Sequence, residues 1–342
     1  MKAAGNKLER GFGFLFGVWT DKGYKPPLLH RILKPKNVTG NQINGLGEQK
    51  FRKPVKVYHI PGQKNPFRLV NITFLVKATL WLNSSIRAKD MVEAWQSSTL
   101  DDIAPVKTNE DPQTFTAQVK EKAKELGAFD VGITAMRDEW TYQNKSSKEK
   151  WIIMLAIPMD HQNLADAPYQ NGRDEVSRAY DKGHWAAHGL SNWLRGHGWP
   201  AHGHGSFLDS NVLMIPAAIA AGLGELGKHG SMIHRKLGSS FRLAFVLTDA
   251  PLIPDEPEEF GADEFCASCQ VCAKACPPNA ISHDKQMIRG VERYYVDFDK
   301  CVPFFNDSGG CAICIAACPW SRPGVADNLV LKMARKRGAQ TN

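Results

Sequence analysis

The chain has 342 residues, 43% apolar and 23% charged, with sixteen Phe, nine Trp and seven Tyr. That is an ordinary globular composition with material for a sizeable core, so wholesale disorder, collagen-like repeats and coiled coils are excluded. It has no run of eighteen or more uncharged apolar residues of the kind a transmembrane helix needs. The net charge of +8 is uneven: residues 1–110 carry 18 Lys and Arg against 8 Asp and Glu, and the rest carry 25 against 27.

The start of the chain has no secretory pattern. Phe12 to Val18 is too short and glycine-broken for a signal segment, and Glu9-Arg10-Gly11 is not a twin-arginine pair. A cytoplasmic protein is the expectation. Lys22 to Arg68 holds eleven basic residues and one acidic residue, Glu48, among recurrent Gly and Pro. This reads as loop-rich cationic surface, solvated or turned toward anionic lipid, nucleic acid or an acidic protein; peripheral membrane contact through this basic third is one expectation. Phe67 to Ile86 is strongly apolar, but Arg68, Asn71, Lys77 and Asn83 would be costly at a bilayer centre. A core element fits it better than an interfacial one. Residues 1–110 are therefore set apart as a basic extension of unknown role.

From residue 111 to 258 helices and strands alternate. Asp111-Pro112 is a helix-start signal, Phe115, Val119, Ala123 and Leu126 recur at helical spacing, and Gly127 ends the helix. Strands are predicted over Phe129–Met136, Trp151–Pro158, Trp199–Gly203 and Phe241–Thr248. Helices are predicted over Asp174–Arg195 and Met214–Ala221. The pattern defines an α/β or α+β domain without fixing strand direction. Gly222-Leu-Gly-Glu-Leu-Gly227 has the G-x-G-x-x-G form, but it follows a helix and opens none, so it is not a dinucleotide loop.

All eight cysteines lie between Cys266 and Cys318. The first run, Cys266, Cys269, Cys272 and Cys276-Pro277, has the C-x2-C-x2-C-x3-C-P spacing of bacterial two-cluster ferredoxins. The second, Cys301, Cys311, Cys314 and Cys318-Pro319, stretches only the first interval. Structural zinc is the alternative, but the doubled C-x3-C-P endings favour two [4Fe–4S] clusters. In such modules the fourth cysteine crosses over, so the expected sets are Cys266, Cys269, Cys272 with Cys318, and Cys301, Cys311, Cys314 with Cys276. Residues 259–325 form this module and 326–342 a basic tail.

The segment Ala221–Gly230, then Phe241–Asp249, then the double cluster resembles the corrinoid-dependent reductive dehalogenases and their relatives, the epoxyqueuosine reductases. The resemblance runs from about Phe115 to Trp320. It implies an α/β domain like the B12-processing, nitroreductase-like folds, holding a base-off corrinoid (cobalamin) beside one cluster. Gly222, Gly224, Lys228, His229, Gly230 and Ser231 are the positions matched to corrinoid binding. Epoxyqueuosine reductases usually carry Trp after AGLG and extend into tRNA-holding repeats, whereas this chain has Glu225 and 24 residues after Cys318. The dehalogenase side is favoured. With neither a twin-arginine signal nor a fused reductase domain, the resemblance implies a compact relative served by an external electron donor: a ferredoxin, flavodoxin or reductase.

The resemblance implies removal of halogen from an organohalide, an aromatic one expected, with two electrons and one proton. Tyr180 is matched to the proton donor, with Arg242 as its basic partner. Asp209 matches the aspartate of epoxyqueuosine reductases and is the competing acid, or a helix cap. His184 and His188, spaced i, i+4, could ligate a metal, and His202 and His204 could contact substrate or corrinoid. No D-x-H-x-x-G motif is present, in keeping with cobalt lacking a lower histidine. The alternatives are a tRNA-modifying reductase that uses the basic third, and an electron carrier or corrinoid-handling protein without substrate chemistry.

Overall fold

The computed structural model describes residues 17–20, 23–57, 65–72, 86–206 and 210–340. Its strands in chain order are β1 (Val18–Thr20), β2 (Gly23–Lys25), β3 (Asp130–Ala135), β4 (Trp151–Pro158), β5 (Ala201–His204), β6 (Glu225–Leu226), β7 (Met232–Ile233), β8 (Phe241–Thr248), β9 (Ile281–Ile288) and β10 (Val291–Val296). The central sheet has the order β3-β4-β8-β5, and every neighbouring pair is antiparallel. β4 is apolar at every position because both its faces are covered. Ile153, Leu155 and Ile157 pack against the long helix Gln170–Gly196. Ile152, Met154 and Ala156 pack against the helix Met214–Ala220.

The predicted helix starts where its signals stand: Pro112–Glu125, with the Asp111 carboxylate accepting the Thr114 N–H and Pro112 in the first turn. The long helix meets the sheet through small residues, Ala179, Gly183, Ala186 and Ala187, so the two backbones come close. The closest point is Gly183 against Gly205, where a Cβ on Gly205 would lie 2.2 Å from the Gly183 carbonyl carbon. The end of β5 is thereby set across the long helix one turn from Tyr180.

The cysteine module follows: helices Ala262–Ser268 and Val271–Ala275, the β9–β10 hairpin, and helices Phe298–Asp307 and Ile313–Ala317. The basic tail forms a helix, Ala326–Gln340, which folds back on the module. Met333 is buried, and Lys336 and Arg337 reach Glu264.

Residues 39–54 form a strap across the module. Thr39 starts the helix Gly40–Asn44 with a capping box. The N–H groups of Gly40 and Asn41 donate to Asp299, and the Gly47 N–H donates to the Met287 carbonyl on β9. Of the apolar stretch Phe67–Ile86, Phe67 and Val70 lie in a small core with Val57 and Val302; residues 73–85 lie outside the described residues. No described helix is long and apolar enough to cross a membrane.

Candidate functional site: a double thiol centre beside a Tyr–Arg pair

Proline after cysteine restricts the cysteine to extended backbone, and this ends two helices at chosen points. Cys272 lies in the helix Val271–Ala275 and Cys276, its C-cap, is extended. Cys314 lies in the helix Ile313–Ala317 and Cys318 caps it in the same way. Each fourth cysteine therefore leaves its own run. Its electrostatic neighbours show where it goes: Cys266 is acted on by Cys318, Cys272 and Cys269, and Cys301 by Cys311 and Cys276. The sulfurs form two quartets, with Cys314 and Cys272 linking them.

All eight thiols are free. Burial pushes Cys266, Cys272 and Cys301 up to about 12 and Cys311 up to about 11, and the neighbouring sulfurs push the same way. Thiols so hard to ionise become thiolates only around a positively charged centre. Eight thiols in two sets of four are the donor set of two [4Fe–4S] clusters.

The Gly222 loop sits against this module. Gly222 and Gly224 have φ of +76° and +142°, and a Cβ on them would meet the Glu256 and Ile233 carbonyl oxygens at 2.6 and 2.1 Å. Glu225 is buried, and its carboxylate accepts the N–H groups of Phe260 (2.6 Å), Gly261 (2.7 Å), Ala262 (3.0 Å) and Asp263 (3.0 Å). It thus satisfies the start of the helix that carries Cys266 and complements that helix's positive end. The sequence showed Glu225 only as a family marker; its work is to seat the module. Glu225→Ala is expected to destabilise the protein by on the order of 3 kcal/mol, the scale of lost hydrogen bonds to a buried charge. Glu225→Gln, which keeps one acceptor oxygen, should cost less. Denaturant unfolding of the two variants checks the order.

Lys228 and His229, both matched to corrinoid binding, are buried with their side chains toward the module. Lys228 Nζ lies 3.5 Å from the Ala267 carbonyl oxygen and 5.0 Å from the Tyr294 ring centroid. Burial lowers His229 to about 4, so its imidazole is neutral at pH 7. Nδ1 accepts the Ser231 N–H (3.2 Å), so Nε2 carries the proton and donates to Ser239 Oγ (2.9 Å). The Ser239 hydroxyl donates to the Met232 carbonyl at 2.8 Å, and it is one of the polar groups that act on the Cys318 sulfur. Gly222, Gly230 and Ser231 are the partly exposed members of the six matched positions.

The structure brings Tyr180 and Arg242 together. The Arg242 guanidinium carbon lies 5.4 Å from the Tyr180 ring centroid. Its Nε is buried with no hydrogen-bond partner among the described residues. Asp209 lies outside the described residues. His184 and His188 are engaged in packing: Nε2 of His184 meets Ser98 Oγ at 3.2 Å and that of His188 meets the Thr99 carbonyl oxygen at 2.9 Å. They brace the segment that follows the helix Ile86–Ser97. His202 and His204 line a polar cavity of about 380 Å³ with Glu149, Asn211, Phe245 and Leu247. By strand alternation this is the sheet face opposite Arg242.

The arrangement defines a mixed α/β sheet domain joined to a dicluster module. The 4Fe-4S dicluster domain family matches residues 265–321, which include all eight cysteines. The tetrachloroethene reductive dehalogenase of Dehalobacter restrictus is 32% identical over 200 residues, 55% of this chain and 36% of the relative. That of Sulfurospirillum multivorans is 26% identical over 280 residues, 68% of this chain and 55% of the relative. The epoxyqueuosine reductase of Escherichia coli is 35% identical over 134 residues, 34% of this chain and 32% of the relative. Among solved structures, the catabolic reductive dehalogenase NpRdhA in complex with 3-bromo-4-hydroxybenzoic acid matches with TM-score 0.62 and 25% identity, over 74% of this chain and 40% of that one. A reductive dehalogenase described for B12-dependent dehalogenation matches with TM-score 0.65 and 27% identity, over 74% and 39%. The chain is similar in sequence and in fold to reductive dehalogenases, which are oxidoreductases, and spans 36% to 55% of the two curated dehalogenases named above.

Proposed function

We propose that the chain carries the catalytic core of a corrinoid- and iron–sulfur-dependent reductase that replaces a carbon–halogen bond by carbon–hydrogen, consuming two electrons and one proton and releasing halide. One observation carries this reading: the short segment Ser239–Arg242 joins the two halves of the chemistry. Ser239 acts on the sulfur of Cys318, and Arg242 lies over Tyr180. Cys266, Cys269, Cys272 and Cys318 would hold one [4Fe–4S] cluster, and Cys276, Cys301, Cys311 and Cys314 the other. Gly222, Gly224, Gly230 and Ser231 would hold the corrinoid.

When bound, the corrinoid would supply a low-valent cobalt as the reductant of the carbon–halogen bond, and the clusters would supply electrons to it one at a time. The protein's part is proton delivery and charge. The Tyr180 phenol donates the proton, and the Arg242 guanidinium stabilises the phenolate left behind. The same cation favours a substrate bearing an anionic oxygen, which fits an aromatic phenolate or carboxylate. An external low-potential donor refills the clusters.

Anaerobic reconstitution with iron, sulfide and cobalamin tests this. About eight iron and one cobalt per chain are expected, with halide release from an aryl halide under a strong reductant. Zinc in place of iron would remove the cluster reading. Loaded protein inert toward organohalides would leave the carrier reading, and salt-sensitive binding of tRNA would favour the epoxyqueuosine-type reading.

A further inference from the structure

A lysine with no exposed surface is costly unless an opposite charge sits beside it. Lys228 is 0% exposed, and among the described residues it makes no ion pair; its ammonium has only the Ala267 carbonyl and the Tyr294 ring face. Three carboxylates of the adjoining segments are committed elsewhere, and Asp284, which acts on Tyr294, is exposed. Glu225 holds four backbone N–H groups, Asp263 pairs with Lys285 at 2.7 Å, and Glu264 pairs with Lys336 at 2.8 Å. What remains for Lys228 is the first quartet. Ala267 stands between Cys266 and Cys269 in the chain, the Lys228 N–H donates to the Cys266 sulfur, and the ammonium acts on Cys272.

Among the described residues the second quartet has no buried lysine as a counterpart. Backbone N–H groups serve its Cys276, as they serve the first quartet, but the lysine that acts on Cys276, Lys300, is half exposed and pairs with Asp297 at 3.7 Å. Asp297 also adds negative charge beside Cys301.

We infer that Lys228 is the fixed counter-charge of the cluster held by Cys266, Cys269, Cys272 and Cys318, and that it makes this cluster the electron sink of the pair. This rests on the cluster reading above. Each cluster takes up one electron, and the added negative charge is stabilised where a desolvated cation is close. An electron entering from an external one-electron donor then runs downhill from the second cluster to the first, the one beside the Gly222 loop. Lys228 is thus a positioning residue for charge, reached through the cluster and not through substrate.

The test uses the whole chain, reconstituted anaerobically, as wild type, Lys228→Met, Lys228→Gln and Lys228→Arg. Each is titrated potentiometrically with the clusters followed by electron paramagnetic resonance. The wild type is expected to show two midpoints. Both neutral variants should lower the higher one, changing its reduced-to-oxidised ratio by roughly tenfold or more, where tenfold corresponds to 59 mV for one electron. The lower midpoint should move less, Lys228→Arg should keep the wild-type values, and all should hold the same iron. Unmoved midpoints, an equal shift of both, or a shift of the lower one alone would overturn the assignment. Loss of iron in both neutral variants with retention in Lys228→Arg would also overturn it, because Lys228 would then be an assembly residue. A wild type that takes up zinc instead of iron would sink the cluster reading, an outcome visible before any titration.

Discussion

Tyr180→Phe lowers organohalide turnover by about 10²-fold or more, the usual scale for a lost general acid, while iron and cobalt content stay at wild-type values. The substitution keeps the ring under Arg242 and removes only the O–H. Two acids compete for the role, and ordinary chemistry separates them. A phenol carries its proton at neutral pH at its usual value of ~10, whereas an aspartic acid at ~4 needs a dry pocket to do so. Arg242, 5.4 Å from the ring, stabilises the phenolate, and its buried Nε has no other partner among the described residues. Asp209→Asn should therefore cost much less. Steady-state rates beside metal analysis check both variants. A nearly silent Tyr180→Phe with an inactive Asp209→Asn would reverse the roles and move the reading toward the epoxide reductases.

The second large effect concerns the crossing cysteines. Cys318→Ser should reduce iron from about eight to about four per chain, because a buried hydroxyl is a poor substitute for a thiolate. Single variants cannot show which cluster was lost, but pairs can. If Cys318 serves the first run, Cys318→Ser with Cys266→Ser damages one cluster twice and leaves about four iron, whereas Cys318→Ser with Cys301→Ser removes both clusters. Pairing within each run predicts the reverse. Iron counts on the two double variants decide between them.

Much of the sheet domain was legible because its signals are local. β4 is a continuous apolar run, β8 is a largely apolar one interrupted by Arg242, and both strands form at the predicted positions. The helix after Asp111 carries its own start and stop. Strand direction was not legible: it depends on which edges the connections reach, and all four strands are antiparallel. The site divides in the same way. The cysteine spacing is local and was readable. Glu225 accepts from N–H groups 35 to 38 residues further on, and no sequence pattern announces a cap at that distance. Lys228 and His229 were matched to the corrinoid by resemblance because their loop is contiguous; the Lys228 side chain acts on Cys272, and that of His229 bonds Ser239. The Tyr180–Arg242 pair came from the resemblance alone, since nothing in either residue's neighbourhood names the other.

The strap at residues 39–54 has a consequence for how the protein comes apart. On one side it is bonded to the module, through Asp299, Met287 and the Asn44–Arg289 contact. On the other side the Pro54 carbonyl accepts the Gln143 N–H, and Lys53 reaches Asp138 at 2.6 Å and Thr141 at 2.9 Å. The shift in charge near residue 110 is therefore a boundary of composition that these contacts bridge. Opening the module pulls on the loops that flank β3 and β4, and loosening those loops releases the strap that covers β9. Sheet and module then belong to one unfolding unit, and damage to the sulfur centre would register as lost order around Tyr142, far along the chain from any cysteine.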